Sequence, residues 1–282
     1  MPKRNWWLPC LAIASCWSAI ALPARSQALL PYTPDLDIEL LEQQGLVLTR
    51  DVVQLVRFEQ YELALPRAKL ATQLAPNTYE PWFLLGSLYV QQAEFDKGIS
   101  ILRTAQRLSP DDAGVRFTLG SAYFQKEQYD QALVELEAGL AINPDSVEAR
   151  FDLGNTYLML GRFPDAIQAY QVAITENPEF WPAVNNIGLV KYEQGNVQGA
   201  IQDWQAALAV DAEAAEPMLA IGVALYASGQ QEEGLEMVAE ALRLDRAYAD
   251  LEFLRINLWG EQLLRDAAQV LALPQLSSLV GS

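Results

Sequence analysis

The chain has 282 residues, and 51% of them are hydrophobic, so it can form a substantial core and is not a disordered chain. Its formal net charge is −17 and its basic residues are scattered singly, which argues against a nucleic-acid partner. It has no histidine, and both cysteines, Cys10 and Cys16, lie near the N-terminus. Without that segment neither a thiol nor an imidazole remains, so we expect no catalytic residue, metal site, cofactor or small-molecule substrate.

Residues 1–28 have the pattern of a secretory signal peptide. Lys3 and Arg4 precede an apolar stretch, and small residues follow at the spacing that signal peptidase requires. Cleavage after Ser26 and cleavage after Ala28 fit this spacing equally well. The sequence therefore predicts export, to the periplasm or to a thylakoid lumen.

Two alternatives stay open at this N-terminus. The residues 13–16 resemble a lipoprotein box, in which Cys16 would become the lipidated first residue of the mature protein. The apolar stretch could also stay in place as an uncleaved anchor, although it is shorter than the roughly 20 residues of a membrane-spanning helix.

Residues 29–44 carry prolines first and acidic residues afterwards. This composition predicts a linker that leads into a short helix.

From residue 45 onwards, one pattern recurs every 34 residues, which is the period of a helix–turn–helix repeat. The prolines in this register are Pro76, Pro110, Pro144 and Pro178. The glycines in the same register are Gly86, Gly120, Gly154, Gly188 and Gly222. The pattern predicts a stack of antiparallel helix pairs.

The recurring residues have packing roles. The glycines lie on the apolar face of the first helix of each pair, where a missing side chain lets the second helix approach closely. The small residues expected opposite them are Ala64, Gly98, Ala132, Ala166, Ala200 and Gly234. The larger residues expected to fill the remaining space are Leu102, Leu136, Tyr170, Trp204 and Val238.

The sequences WFLLGSLY at 82–89 and FDKGI at 95–99, followed by Ala105 and Pro110, resemble the tetratricopeptide repeat family. The resemblance implies an all-α fold, a right-handed α-solenoid of antiparallel helix pairs. In this register the six units are 45–78, 79–112, 113–146, 147–180, 181–214 and 215–248.

The two ends depart from the repeat pattern, as expected where a unit has only one neighbour. In the first unit Val52 takes the glycine position. Residues 249–273 predict a pair of capping helices joined near Gly260, with Trp259 available to cover the last repeat. Residues 274–282 predict a loose tail.

The resemblance also implies that ligands bind the concave face, which the first helices line. On a helical wheel, a set of first-helix side chains points away from the second helices, and many of these side chains are aromatic or carry an amide. Exposed aromatic side chains usually mark contact sites, and amides can bond the backbone of a bound segment. The predicted ligand-binding residues are Phe83, Ser87, Phe117, Ser121, Phe124, Phe151, Asn155, Asn185, Asn186, Leu189 and Tyr192.

These features predict a non-enzymatic scaffold that holds an apolar or aromatic peptide or helix of another protein. The basic clamp by which some family members hold a carboxylate tail is missing from the corresponding positions. Three alternatives stay open: the phenylalanines are internal packing, the chain forms a homo-dimer through them, or a pair of carboxylates catalyses hydrolysis. A pair of buried acids in a pocket would indicate the hydrolase alternative.

Overall fold

The computed structural model describes residues 37–280. The predicted signal peptide, the box at Cys16 and most of the linker therefore lie outside the described residues. Contacts group the described helices into one compact unit that begins at Ile38. In the described part of the chain all regular structure is helical, and no helix is long and apolar enough to cross a membrane.

Twelve helices form six antiparallel pairs. The first helices of the pairs are α1 (Ile38–Arg57), α3 (Tyr79–Gln91), α5 (Ala113–Gln125), α7 (Val147–Met159), α9 (Trp181–Glu193) and α11 (Ala215–Ala227). The second helices are α2 (Tyr61–Leu74), α4 (Phe95–Leu108), α6 (Tyr129–Ile142), α8 (Phe163–Glu176), α10 (Val197–Val210) and α12 (Gln231–Leu244). Each of the first five second helices also packs on the first helix of the next pair, so the pairs stack into an all-α solenoid.

The glycine positions are the points of closest approach within a pair. A Cβ placed on Gly154 would lie 2.4 Å from Cε1 of Tyr170, and one on Gly188 would lie 2.4 Å from Nε1 of Trp204. The ring therefore occupies the space that the glycine leaves. The large residues that fill this space are all fully buried: Leu102, Leu136, Tyr170, Trp204 and Val238.

Side chains at the helix starts supply hydrogen bonds that the first turn of a helix lacks. The carboxylate of Asp112 accepts the amide proton of Val115 at 2.8 Å and caps α5. At α7 the cap is Ser146, whose hydroxyl accepts from the amide of Ala149 at 3.2 Å.

The N-terminal unit differs from the sequence prediction, because no break separates the linker helix from the first repeat. α1 runs continuously over 20 residues. Gly45, the first residue of the predicted unit, lies inside this helix, where a Cβ would be 2.8 Å from Cβ of Ala75. Helix α2 packs on α1 there, and this contact favours a continuous helix over a turn.

The residues after α12 form what we call the C-terminal segment, residues 246–280. It contains a 3-10 turn over Arg246–Ala249, the helices α13 (Leu251–Ile256) and α14 (Glu261–Leu271), a second 3-10 turn over Pro274–Leu276, and α15 (Ser277–Val280). Leu276 is only 2% exposed, so the start of the predicted loose tail is instead packed against the core.

Candidate protein-binding groove

The first helices line one face of the stack, which we call the inner face. At its C-terminal end the C-terminal segment occupies this face, because α14 packs against both α9 and α11. The hydroxyl of Tyr192 donates to Asp266 at 2.7 Å. The carboxylate of Glu193 accepts the amide protons of Gln262 and Leu263 at 3.0 to 3.2 Å, and so caps the N-terminus of α14.

Trp259 anchors the segment. It is 3% exposed, and its indole N–H donates to Oε1 of Glu216 at 3.0 Å. It belongs to the same buried cluster as Leu219 and Val223 of α11, which stand at inner-face positions. The segment thus covers the part of the inner face that the last two repeats provide.

Three predicted ligand-binding residues lie in this covered part. Asn185, Leu189 and Tyr192 are each 1% exposed. The sequence placed them on an open groove, but the C-terminal segment covers Leu189 and Tyr192 and leaves no surface for a ligand. The amide of Asn185 instead donates to Oδ1 of Asn186 at 3.1 Å.

Phe83 and Phe117 also do not lie on the open ligand-binding face that the sequence predicted. Both are partly buried, and Phe117 covers Gly139 of α6 so closely that a Cβ there would lie 2.5 Å from its ring. Phe83 packs in the cluster that contains Leu102 and Val115, and the hydroxyl of Ser87 donates to the carbonyl of Phe83 at 2.9 Å. These residues join helices within the stack.

The other five predicted residues come together at a cavity of about 380 Å³ on the inner face. It lies where α5, α7 and α9 meet α11 and the C-terminal segment. The predicted residues that line it are Ser121, Phe124, Phe151, Asn155 and Asn186. Other residues that line it include Gln125, Asp152, Trp181, Pro182, Glu216, Tyr248 and Leu258.

A chain of hydrogen bonds between side chains lies beside the cavity and links neighbouring repeats. Oδ1 of Asn155 accepts from the hydroxyl of Tyr170 at 2.8 Å and from the amide of Asn186 at 2.9 Å. The amide of Asn185 continues the chain to Asn186, while the indole N–H of Trp204 donates to the carbonyl of Asn185 at 3.1 Å. These bonds hold the cavity-lining amides in fixed orientations.

The cavity is acidic, and its two carboxyl groups are strongly perturbed. Burial, with a smaller contribution from Glu148, raises the pKa of Asp152 to about 6. Burial raises the pKa of Glu216 to about 7, although hydrogen bonds from Trp259 and Asn185 act in the opposite direction. Neither carboxyl is among the residues predicted from the sequence, although Asp152 lies 34 residues before Asn186 and so holds the same repeat position.

No group of three or more histidine, cysteine, aspartate or glutamate side chains stands close enough to hold a metal ion within residues 37–280.

Comparison with solved structures supports the fold. The crystal structure of YrrB, described as a TPR protein with an unusual peptide-binding site, is 20% identical, has a TM-score of 0.56, and covers 68% of this chain and 95% of its own. A crystal structure of MamA is 24% identical with a TM-score of 0.54 and covers 61% of this chain and 93% of its own. MamA from Desulfovibrio magneticus RS-1 is 20% identical with a TM-score of 0.56 and covers 59% and 94%.

No curated protein matches the chain. Family models, in contrast, match most of the repeat region. A model described as tetratricopeptide repeat matches residues 117–179, and one described as TPR repeat matches residues 188–229. A third, described as anaphase-promoting complex, cyclosome, subunit 3, matches residues 59–139. With the helix pairs that recur every 34 residues, these matches show that the chain belongs to the tetratricopeptide repeat family.

Proposed function

We propose that the protein is a non-enzymatic scaffold that holds a segment of a partner protein on the part of the inner face that the C-terminal segment leaves uncovered. The observation that carries this proposal is the cavity of about 380 Å³ between α5, α7, α9 and the C-terminal segment. A concave site with apolar walls and a few fixed polar groups is the usual form of a binding site. The unusual peptide-binding site of YrrB is a precedent in this fold.

The walls and the amides of the cavity suit different parts of a peptide. Phe124 and Phe151 contribute aromatic surface to the wall of the cavity, against which a side chain of the partner can pack. Asn155 uses its oxygen for bonds inside the protein, so its amide N–H groups are the part that can donate to a peptide carbonyl. The acidic surface of the chain argues against nucleic acid as the partner.

Site-specific photo-crosslinking tests this function. Gln125 is exposed and lines the cavity, so a benzoylphenylalanine at this position would face a bound segment. Val134 on α6 is 63% exposed and does not line the cavity, which makes it the matched control. We expect a crosslinked partner from position 125 and none from position 134. Identical adducts from both positions, or adducts from position 134 alone, would contradict the proposal.

Self-assembly is a second candidate, because apolar side chains are exposed at the N-terminal end of the stack. Ile38 is 67% exposed, and Leu63 and Leu70 of α2 are 50% and 44% exposed. A second copy could cover them end to end. Sedimentation velocity over a range of concentrations distinguishes the two roles: a constant monomer supports the scaffold, and a dimer that Leu63→Glu abolishes supports self-assembly.

Hydrolysis by two carboxyls is the remaining candidate, since Asp152 and Glu216 line one cavity and both have a raised pKa. Acid–base catalysis by such a pair needs different environments, so that one group stays ionised and the other protonated. Here burial raises the pKa of both groups, so their environments do not differ in the required way. Glu216 also already accepts a hydrogen bond from Trp259. We expect no turnover of aryl glycosides; turnover that Asp152→Asn and Glu216→Gln each abolish would restore this candidate.

We also propose that the chain works after export, in the periplasm or a thylakoid lumen, where it would assist assembly of an envelope or membrane complex. The support is the signal-like pattern of residues 1–28, and a charge that keeps the chain soluble there. The intact mass of the purified protein separates cleavage after Ser26, cleavage after Ala28, lipidation at Cys16 and an uncleaved anchor.

A further inference from the structure

We propose that the cavity on the inner face binds the guanidinium group of an arginine side chain carried by the partner segment. This inference rests on the proposed scaffold function and specifies which side chain the cavity recognises. It follows from the charge of the cavity, from its aromatic walls and from the number of hydrogen-bond acceptors around it.

The cavity has acidic groups and lacks a cation. Asp152 and Glu216 contribute carboxyl groups to its lining, and none of its lining residues is lysine or arginine. The carboxylate of Asp152 accepts no hydrogen bond and pairs with no cation in residues 37–280; the charge that acts on it is that of Glu148, which is also negative. A partly buried carboxylate without a cation is unfavourable, so a positively charged ligand would relieve a cost that the free protein carries.

The perturbed titration of the two carboxyls agrees with this geometry. Burial holds the pKa of Asp152 near 6 and that of Glu216 near 7 because no cation is present to offset it. A guanidinium beside these groups would favour their ionised forms. Its binding should therefore release protons near neutral pH.

Aromatic rings form the walls beside the acids. Phe124, Phe151, Trp181 and Tyr248 come from α5, α7, α9 and the C-terminal segment, so the rings surround the cavity from several sides. The ring of Phe151 is held edge-on against Phe180, with centroids 5.2 Å apart. Rings fixed in this way attract a cation through their π faces, and a planar guanidinium can also stack on them.

The distribution of acceptors favours arginine over lysine. The two carboxyls stand on different helices, α7 and α11, and the oxygens of Asn155 and Asn186 already accept bonds within the protein. Arginine presents five N–H donors in one plane and can contact two carboxylates at once, whereas the lysine ammonium is a compact, strongly hydrated charge. We therefore expect discrimination between the two cations.

The test uses the full chain and three peptides of the form acetyl-Ala-Ala-X-Ala-Ala-amide. X is arginine, its neutral isostere citrulline, or lysine. Binding is followed by NMR titration of the backbone amides and of the asparagine side-chain amides. We expect the arginine peptide to shift the signals of Asn155 and Asn186 and to bind at least about tenfold more tightly than the citrulline peptide, because a charge-assisted pair is lost.

The matched variants are Asp152→Asn and Asp130→Asn. Asp130 is an exposed acid of α6 that does not line the cavity. We expect Asp152→Asn to weaken the arginine peptide at least about tenfold and Asp130→Asn to leave it unchanged. Asp152→Asn removes a partly buried charge and keeps the shape of the side chain, and thermal unfolding checks that the variant is folded. Trp181→Leu is the second variant, and weaker binding of the arginine peptide is again expected.

The outcomes separate this inference from the scaffold function. Equal binding of the arginine and citrulline peptides, or equal binding of the lysine peptide, overturns arginine recognition and leaves the scaffold intact. If the arginine peptide does not bind but position 125 still yields a crosslinked partner, arginine recognition is overturned and the scaffold function stands. Crosslinks from position 134 alone contradict the scaffold itself.

Discussion

Glu216 is a carboxyl group with 8% of its surface exposed, held between the indole N–H of Trp259 and the amide of Asn185. Because burial raises its pKa from 4.5 to about 7, the folded protein binds its proton more tightly than the unfolded chain does. The free energy of unfolding should therefore fall as the pH rises from about 4.5 to about 7, and this one group can account for up to about 3 kcal/mol.

Glu216→Gln tests this expectation, because glutamine keeps an oxygen for Trp259 and cannot titrate. Urea unfolding at pH 5 and at pH 7.5 should show a smaller pH dependence in Glu216→Gln than in the wild type. Part of the dependence should persist, since Asp152 has a pKa raised to about 6 and acts in the same direction. The exposed Glu232→Gln is the control, and an unchanged dependence in Glu216→Gln would contradict the assignment.

At the scale of the element, the turn between the two helices of each pair requires one residue with positive φ. This position is glycine in three pairs, with φ of 70°, 78° and 95° at Gly161, Gly195 and Gly229. In the first three pairs it is held by Glu59, Ala93 and Glu127, with φ of 56° to 58°. Residues with a Cβ are disfavoured in this region, so three of the six turns carry backbone strain that a glycine would relieve.

Glu127→Gly should stabilise the protein by about 0.5 to 1 kcal/mol, and Gly161→Ala should destabilise it by about 1 kcal/mol. At Gly161 a Cβ would meet no atom within 4 Å, so the effect comes from the backbone conformation alone. Urea unfolding of both variants measures the difference. Gly188→Ala is the contrast, because its Cβ would lie 2.4 Å from Trp204 and overpack the core. Effects of the same sign at 127 and 161 would refute this explanation.

At the scale of the whole molecule, the C-terminal segment determines how much of the inner face is open. Trp259 belongs to the same buried cluster as the side chains of α11 and α14. We expect Trp259→Ala to cost about 3 to 5 kcal/mol, from the lost packing and from the partner that Glu216 loses.

Hydrogen exchange measures this effect. In Trp259→Ala, protection should be lost in α11 and α14 before it is lost in α3 and α5, because contacts in a repeat stack are between neighbours. Phe253→Ala, in the same segment, is the control for a residue that is only partly buried. Uniform loss of protection along the stack would show that the segment does not act locally.

The repeat architecture could be predicted because the residues that fix it recur. Gly154 and Tyr170 meet within one pair, and Gly188 and Trp204 meet in the same way one period later. The position of the C-terminal segment has no such signal. Its contacts, Trp259 with Glu216 and Tyr192 with Asp266, join residues 43 and 74 apart and occur once.

The candidate site was therefore predicted only in part. Helical periodicity identified the inner-face positions, and five of the eleven predicted residues line the cavity. It could not show that Leu189 and Tyr192 are covered, since the covering residues lie outside the repeats. Asp152 was missed because an acid on a helix usually faces solvent, and helical periodicity does not show that it lines a cavity.

The hydrogen bonds that run from Tyr170 through Asn155, Asn186 and Asn185 also affect how this gene can evolve. Repeat proteins commonly change length when recombination removes or duplicates one unit. Loss of the first or second pair would leave these hydrogen bonds in place, whereas loss of the fourth pair would leave the buried amide of Asn186 without its acceptor on Asn155. This chain of hydrogen bonds therefore makes the fourth and fifth pairs a unit that is inherited together, because neither pair satisfies the buried amides alone.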